Sequence, residues 1–238
     1  MNYTYLDCLA ALGVGGAHPG GLELTKRILS REVINQEKSI LDVGCGTGQT
    51  SSYIAEKYRC SVTSLDHNKT MLEKAKQRFL SLKLDNVNIV HGSVEKLPFD
   101  NESFDFILSE SVTSFTKIPI AIKEFKRVLK PKGVLLAIEM VLDDTLSEEE
   151  TKRFVDFYGV SQLLTQLEWY SLFQKAGFKK ISSEKFYYKQ SENMIDSVPD
   201  FILSEEINER LFEILEKHER LTKAYMDRLA AYVFRCCI

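Results

Sequence analysis

Residues 40–50, ILDVGCGTGQT, join a short apolar strand to a turn that is rich in glycine. The glycines are Gly44, Gly46 and Gly48, and Asp42 precedes the first of them by two residues. Glycine lets the backbone approach a ligand closely, because no side chain intervenes and positive φ costs little. A helix after such a turn directs its first N–H groups at the edge of a parallel sheet where α/β folds bind nucleotides. The stretch therefore predicts a nucleotide-type site.

The spacing of the glycines argues against the alternative of a nicotinamide dehydrogenase. A dinucleotide fingerprint, G-x-G-x-x-G, would place its last glycine at position 49, where this chain has Gln49. The pattern D-x-G-x-G-x-G over residues 42–48 resembles motif I of the class I S-adenosylmethionine-dependent methyltransferases. The resemblance implies that S-adenosyl-L-methionine is the cofactor and that S-adenosyl-L-homocysteine is the product.

Strand and helix patterns alternate five times in the first part of the chain, which predicts a parallel sheet covered on both faces. A helix at Glu168–Ala176, a strand at 178–188, a helical stretch from about 204 to 229 and a strand at 231–236 follow. This order resembles the complete methyltransferase core. The expected fold class is α/β: a Rossmann-like, doubly wound sheet of seven strands, mostly parallel, with an antiparallel last strand and helices on both faces.

We expect residues 1–238 to form a single methyltransferase domain. Residues 1–37 would be an N-terminal cap, and residues 38–140 the cofactor-binding core. In the resembled family a short turn joins the last two strands, whereas about forty residues intervene here. We therefore expect 141–166 and 189–229 to be segments that cover the substrate.

The overall charge argues against a polyanionic partner. The 238 residues carry 31 Lys and Arg against 34 Asp and Glu, a net charge of −3, so no broad basic face attracts nucleic acid. No apolar run approaches the roughly 20 residues that cross a bilayer, and the N-terminus lacks the basic start of a signal peptide. We expect a cytoplasmic protein that binds neither nucleic acid nor membrane, and the oligomeric state stays open.

The cysteines match no zinc-binding pattern, so no metal is expected. Their number is odd, and reduced thiols are typical of a cytoplasmic protein. The five are Cys8, Cys45, Cys60, Cys236 and Cys237.

Asp66 ends the second strand, where a carboxylate can accept hydrogen bonds from both hydroxyls of a ribose. Taken alone, it could equally cap the next helix near Asn68. The resemblance implies the ribose role, and it places His67 beside adenine. Met71 could also touch adenine, although its helical spacing favours a place in the core.

The stretch HGSVEKLPF at 91–99 resembles the family's G-D-A-x-x-L-P-F segment, whose Asp pairs with the exocyclic amine of adenine. Ser93 stands in place of that Asp. Its hydroxyl is a weaker acceptor, or else it serves the turn. The N–H of Val94 is expected to reach the ring, and Glu95 either supplies the missing acceptor or lies on a solvated face.

Glu110 ends the fourth strand, a position that in the family lies near the methionine part of the cofactor and the substrate pocket. The alternative is an ordinary surface residue. Asp42 is expected to order the turn or to meet the ammonium group. Cys45 lies in the turn, and with no base placed near it in sequence we expect no nucleophilic role.

His18 lies in the stretch GVGGAHPGG at 13–21. Similar small-molecule methyltransferases carry an H-P-G-G stretch that closes over the cofactor, so His18 is expected near the cofactor rather than in catalysis. The alternative is a loop histidine without a role. Tyr3 and Tyr5 could join His18 as an aromatic lid.

The expected reaction is in-line transfer of a methyl group from the sulfonium to a small-molecule acceptor. The sequence assigns no catalytic residue, because the leaving group is neutral and positioning supplies much of the rate. Phe201, Ile202, Leu211 and Phe212 would suit an aromatic or lipophilic acceptor such as a quinone precursor, or they pack on the core. A non-catalytic cofactor-binding sensor or partner subunit is the alternative function.

Overall fold

The computed structural model describes residues 3–186, 200–204 and 208–238. In chain order the strands are β1 (Val14–Gly15), β2 (Ser39–Val43), β3 (Ser61–Asp66), β4 (Val87–His91), β5 (Phe104–Glu110), β6 (Leu129–Leu142), β7 (Lys180–Phe186), β8 (Asp200–Phe201) and β9 (Leu229–Cys237). The helices are α1 (Tyr5–Leu12), α2 (Gly21–Leu29), α3 (Gln49–Tyr58), α4 (Lys69–Ser81), α5 (Ile118–Val128), α6 (Glu148–Tyr158), α7 (Gln166–Ala176) and α8 (Arg210–Tyr225).

Seven strands form one sheet in the order β4-β3-β2-β5-β6-β9-β7. The first five of these pair in parallel, and β9 lies antiparallel between β6 and β7. The predicted α/β fold class is therefore confirmed, including the antiparallel last strand. In a sheet of this kind the carboxyl ends of β2, β3 and β5 open onto one edge, which is where ligands bind.

Apolar clusters lie on both faces of the sheet, as a doubly wound fold requires. One cluster packs α5 and α7 on the sheet through Phe125, Trp169 and Phe173, all of which are buried. The other packs α2 and α3 on the opposite face through Ile28 and Ile54. These helices show the expected helical spacing of apolar residues.

Capping residues at two helix ends lie where the sequence predicts them. Asn68 caps α4, because its side chain accepts a hydrogen bond from the Met71 N–H. Gly177, with φ of 101°, ends α7. From the sequence, Pro131 and Gly133 are expected to end the helix and start a strand at 133–140. The helix instead ends at Val128 and β6 begins at Leu129, because the chain is already extended there.

Helix α1 and the pairing of β1 with β8 were not predicted from the sequence. Helix α1 begins with a capping box between Thr4 and Asp7. Strand β1 pairs antiparallel with β8, matching Val14 to Phe201 and Gly15 to Asp200. We call residues 11–16 together with residues 200–204 the two-stranded cap.

Parts of the predicted covering segments lie outside the described residues, namely 189–199 and 205–207, as do positions 187 and 188 of the predicted strand. Among the described residues no helix is both long and apolar enough to cross a membrane. All five cysteines are free thiols.

Candidate functional site

The three positions of glycine in the turn after β2 differ in what surrounds them. All three have positive φ, at 64° for Gly44, 53° for Gly46 and 76° for Gly48. A Cβ on Gly44 would overlap the Val112 side chain, and a Cβ on Gly48 would lie 2.5 Å from the Phe79 ring. A Cβ on Gly46 would meet no heavy atom of the described residues within 4 Å. Gly46 is therefore the glycine of this turn that borders open space.

Asp66 ties the glycine turn to the loop after β3. Its Oδ2 accepts a hydrogen bond from the Gly46 N–H at 2.9 Å, and its Oδ1 accepts one from the Asn68 N–H at 2.8 Å. The Cys45 N–H donates to the Leu65 carbonyl at 3.0 Å. Asp66 is buried at the carboxyl edge of the sheet, while the neighbouring His67 side chain is 74% exposed. The amides of the turn are thus held beside an acid.

Asp42 is a buried carboxyl group under the turn. It accepts a hydrogen bond from the Ser51 hydroxyl at 2.5 Å, and the Ser64 hydroxyl donates to Ser51 in turn. Burial, then the charges of Glu110 and Asp66, raise the pKa of Asp42 to about 8. Three carboxyl groups therefore share one region, and a cationic ligand would relieve their repulsion.

Cys45 is buried in the same turn. Burial, followed by the charges of Asp42 and Asp66, raises the pKa of its thiol well above the ordinary value. Since the thiolate is the nucleophilic form, a raised pKa agrees with the expectation that Cys45 is not a nucleophile.

Glu110 is held by hydroxyl groups from two helices. Thr50 of α3 donates to its Oε2 at 2.7 Å, and Thr25 of α2 donates to its Oε1. His18 is buried, with Nε2 at 3.5 Å from Glu110 Oε1 and 3.3 Å from the Thr25 hydroxyl. The structure thus brings His18 to the end of β5, beside Glu110. Sequence reasoning missed Thr25 and Thr50, because neither lies in a recognisable motif.

Ser93 takes part in the turn that follows β4, and its contact with adenine stays a prediction. Its side chain accepts a hydrogen bond from the Glu95 N–H at 3.2 Å, and the residue is exposed. Val94 is buried. The Glu95 carboxylate accepts a hydrogen bond from the Lys117 N–H at 3.0 Å and so supports the start of α5. Glu95 therefore has a structural partner in α5, beyond the two roles expected from the sequence.

A buried acid on β6 supports the loop that follows β5. Glu139 accepts hydrogen bonds from the Thr113 N–H at 3.1 Å and the Ser114 hydroxyl at 2.8 Å, and burial raises its pKa to about 7. In the same loop Val112 packs over Gly44, and Ser111 has a φ of 57°. A glutamate inside the apolar run GVLLAIEMVL was the signal that could have found this residue.

Tyr5 is packed in an aromatic cluster formed with α6 and α8. Its ring packs on those of Tyr158 and His218, with centroid distances of 4.9 and 5.2 Å, and the Tyr158 hydroxyl lies 3.0 Å from His218 Nδ1. Tyr5 therefore joins α1 to α6 and α8. The lid role of Tyr3 and Tyr5 stays a prediction.

The chain is similar in sequence to methyltransferases, and one of them matches it over nearly its whole length. The profile of the family described as "Methyltransferase domain" matches residues 41–137. The uncharacterized methyltransferase YodH of Bacillus subtilis (strain 168) is 36% identical over 230 residues, which cover 97% of each chain. A demethylmenaquinone methyltransferase of Staphylococcus epidermidis is 35% identical over 117 residues, 48% of each chain.

Solved structures share the fold. Phosphoethanolamine N-methyltransferase 2 of Haemonchus contortus, in complex with S-adenosyl-L-methionine, superposes with a TM-score of 0.79 at 20% identity. The alignment covers 99% of this chain and 57% of that one.

Proposed function

The chain belongs to the class I S-adenosylmethionine-dependent methyltransferases, and we propose that it transfers the methyl group in line to a small-molecule acceptor. S-adenosyl-L-methionine is the cofactor and S-adenosyl-L-homocysteine the product. When bound, the sulfonium supplies an activated methyl group and a neutral leaving group. The chain's own residues then have to bind, orient and shield the reacting groups.

The observation that carries the proposal is the open space beside Gly46. No side chain of the described residues fills it, although the turn is otherwise closely packed at Gly44 and Gly48. The backbone of Gly44–Gly46 would lie against the amino-acid end of the cofactor there, with the Cys45 and Gly46 N–H groups held by Leu65 and Asp66. A ligand with positive charge fits this place, since the charges of Glu110 and Asp66 help to raise the pKa of the buried Asp42.

We assign the sugar and base of the cofactor to the ends of β3 and β4. Asp66 would accept the ribose hydroxyls, since each carboxylate oxygen accepts one hydrogen bond in this structure and retains a second lone pair. His67 and the Val94 N–H would flank adenine. Ser93 would contribute less than an Asp in the same place, because its hydroxyl already accepts the Glu95 N–H.

Glu110 and His18 would close the methionine end of the site. The Thr25 and Thr50 hydroxyls each donate to one oxygen of the Glu110 carboxylate and so fix the position of its negative charge. His18 lies at 3.5 Å from it, on the segment that leads from the two-stranded cap. Together they would exclude water beside the sulfonium, which strengthens the local electrostatics.

A small-molecule acceptor is supported by the charge balance and by the relatives. The net charge of −3 offers no broad attraction to nucleic acid. A relative that matches half of this chain is named for demethylmenaquinone, an aromatic and lipophilic compound class. Of the residues suggested for such an acceptor, Leu211 is buried in the core beside Cys8, whereas Phe201 and Phe212 are about half exposed.

The test is a transfer assay with S-adenosyl-L-methionine and a panel of phenols, quinone precursors, amines and thiols. Formation of S-adenosyl-L-homocysteine and a product heavier by one methylene group, both measured by mass spectrometry, is the expected result. Asp66→Ala is the control variant, which should lose transfer through lost cofactor binding. Tight cofactor binding with no transfer to any panel member would favour the sensor alternative.

A further inference from the structure

Two basic residues of α4 reach from the cofactor-binding core to the two-stranded cap. Lys74 is buried, and its ammonium donates to the Ala11 carbonyl at 3.0 Å and to the Ile202 carbonyl. Ala11 lies at the carboxyl end of α1, where the helix dipole favours a positive charge. Helix α1, all of which is described, has no basic residue in its own last turn. Lys74 therefore supplies the positive charge at the carboxyl end of α1 and binds both halves of the cap.

Arg78, one helical turn further along α4, joins the cap to the glycine turn. Its Nε donates to the Thr47 carbonyl at 2.9 Å, and its guanidinium forms an ion pair with the Asp200 carboxylate. Thr47 stands between Gly46 and Gly48. One planar side chain thus bridges the glycine turn and strand β8, a geometry that Arg provides and Lys does not.

The cap lies directly on the start of α3. A Cβ on Gly15 would be 3.1 Å from the Thr47 hydroxyl, and a Cβ on Gly16 would be 2.7 Å from Gln49 Oε1. The Ile202 N–H donates to the Gly13 carbonyl at 3.0 Å, so the two strands of the cap hold each other. The chain then continues two residues beyond Gly16 to His18, which is beside Glu110.

We propose that Lys74 and Arg78 are positioning residues that make cofactor affinity depend on the two-stranded cap, an inference that rests on the proposed function. Residues 200–204, from the long connection between β7 and β9, supply half of that cap. Their contribution is to keep β1 on the glycine turn and His18 at Glu110. When the cap is released, a smaller fraction of molecules is competent to bind, and the apparent Kd rises by the inverse of that fraction.

Asp200→Asn is the most informative variant, because it removes the ion pair from the cap side and leaves the contact of Arg78 with Thr47. Calorimetric titration with S-adenosyl-L-homocysteine is expected to show a Kd raised by about fivefold or more, with the enzyme's melting temperature nearly unchanged. Asp200→Glu should recover part of the affinity. Lys74→Met should weaken binding at least as much, and Lys76→Met, an exposed lysine of the same helix, should bind like the wild type.

Hydrogen exchange tests whether release of the two-stranded cap and loss of cofactor affinity occur together, or whether Lys74 and Asp200 only stabilise the cap. Asp200→Asn and Lys74→Met should speed exchange of the backbone amides of residues 10–18 while α3 and α5 remain protected. Faster exchange there with unchanged affinity for S-adenosyl-L-homocysteine would overturn the inference. Failure of the wild-type protein to bind S-adenosyl-L-homocysteine at all would instead overturn the proposed function, so the two failures are distinguishable.

Discussion

Substituting Ala for Gly46 and for Gly44 should separate ligand binding from packing. Both glycines have positive φ, a conformation that costs a residue with a Cβ about 1–2 kcal/mol. At Gly46 that is the main cost, because a Cβ there meets no described heavy atom within 4 Å. At Gly44 the Cβ would overlap Val112, and overpacking adds about 1–3 kcal/mol.

Urea denaturation measures the stability side of this comparison. We expect Gly46→Ala to lose about 1–2 kcal/mol of the free energy of unfolding and Gly44→Ala to lose about 2–5 kcal/mol. Adding Val112→Ala to Gly44→Ala should recover part of the loss, since it removes the overlapping methyl groups. No recovery would show that the overlap is not what destabilises Gly44→Ala.

Calorimetric titration with S-adenosyl-L-homocysteine measures the binding side. The Gly46→Ala methyl group would occupy the space assigned to the ligand, so affinity should fall by at least about tenfold, or 1.4 kcal/mol. The fold should survive, as judged by a cooperative urea transition. Wild-type affinity in Gly46→Ala would refute the reasoning, because the open space beside Gly46 would then not be the ligand site.

Four further outcomes are expected. Asp66→Ala should raise the Kd for S-adenosyl-L-homocysteine by at least about tenfold by calorimetry, through lost charged hydrogen bonds to ribose; an unchanged Kd would remove Asp66 from the site. Ser93→Asp should keep or tighten that affinity, and a large loss would place the loop elsewhere. Glu139→Gln should flatten the pH dependence of the melting temperature: the pKa of Glu139 is raised from 4.5 to about 7, so stability in the wild type falls as pH rises through that window. An equal slope in both proteins would contradict the burial argument. At pH 7, binding of S-adenosyl-L-methionine should release protons, because a bound cation lowers the raised pKa of Asp42; titration heats that do not vary with the ionisation enthalpy of the buffer would contradict this.

The sheet and most helices were predictable because their signals are local. Apolar runs and their 3.6-residue spacing placed α2 to α5 and the strands between them, and Asn68 marked the start of α4. The position of Gln49 excluded the dinucleotide fingerprint. The structure adds a physical use for it: the Gln49 side chain packs against the backbone of Gly15 and Gly16.

The cap was not predictable, because its two strands are two residues each and lie far apart in the chain. No local sequence pattern predicts such a pairing. The contacts of Lys74 and Arg78 could not be predicted either, because several of their partners lie in the two-stranded cap. Glu139 is a related case. A single acid in an apolar strand gives a signal, but its donors, Thr113 and Ser114, lie 25–26 residues earlier in the chain, in the loop after β5.

A crystal structure with S-adenosyl-L-homocysteine is the most direct test of the central claim that the glycine turn and Asp66 hold the cofactor. We expect the amino-acid end of the ligand against the backbone of Gly44–Gly46, and its ribose hydroxyls at about 3 Å from the Asp66 carboxylate. A ligand bound elsewhere, or one whose ribose has no contact with Asp66, would contradict the account.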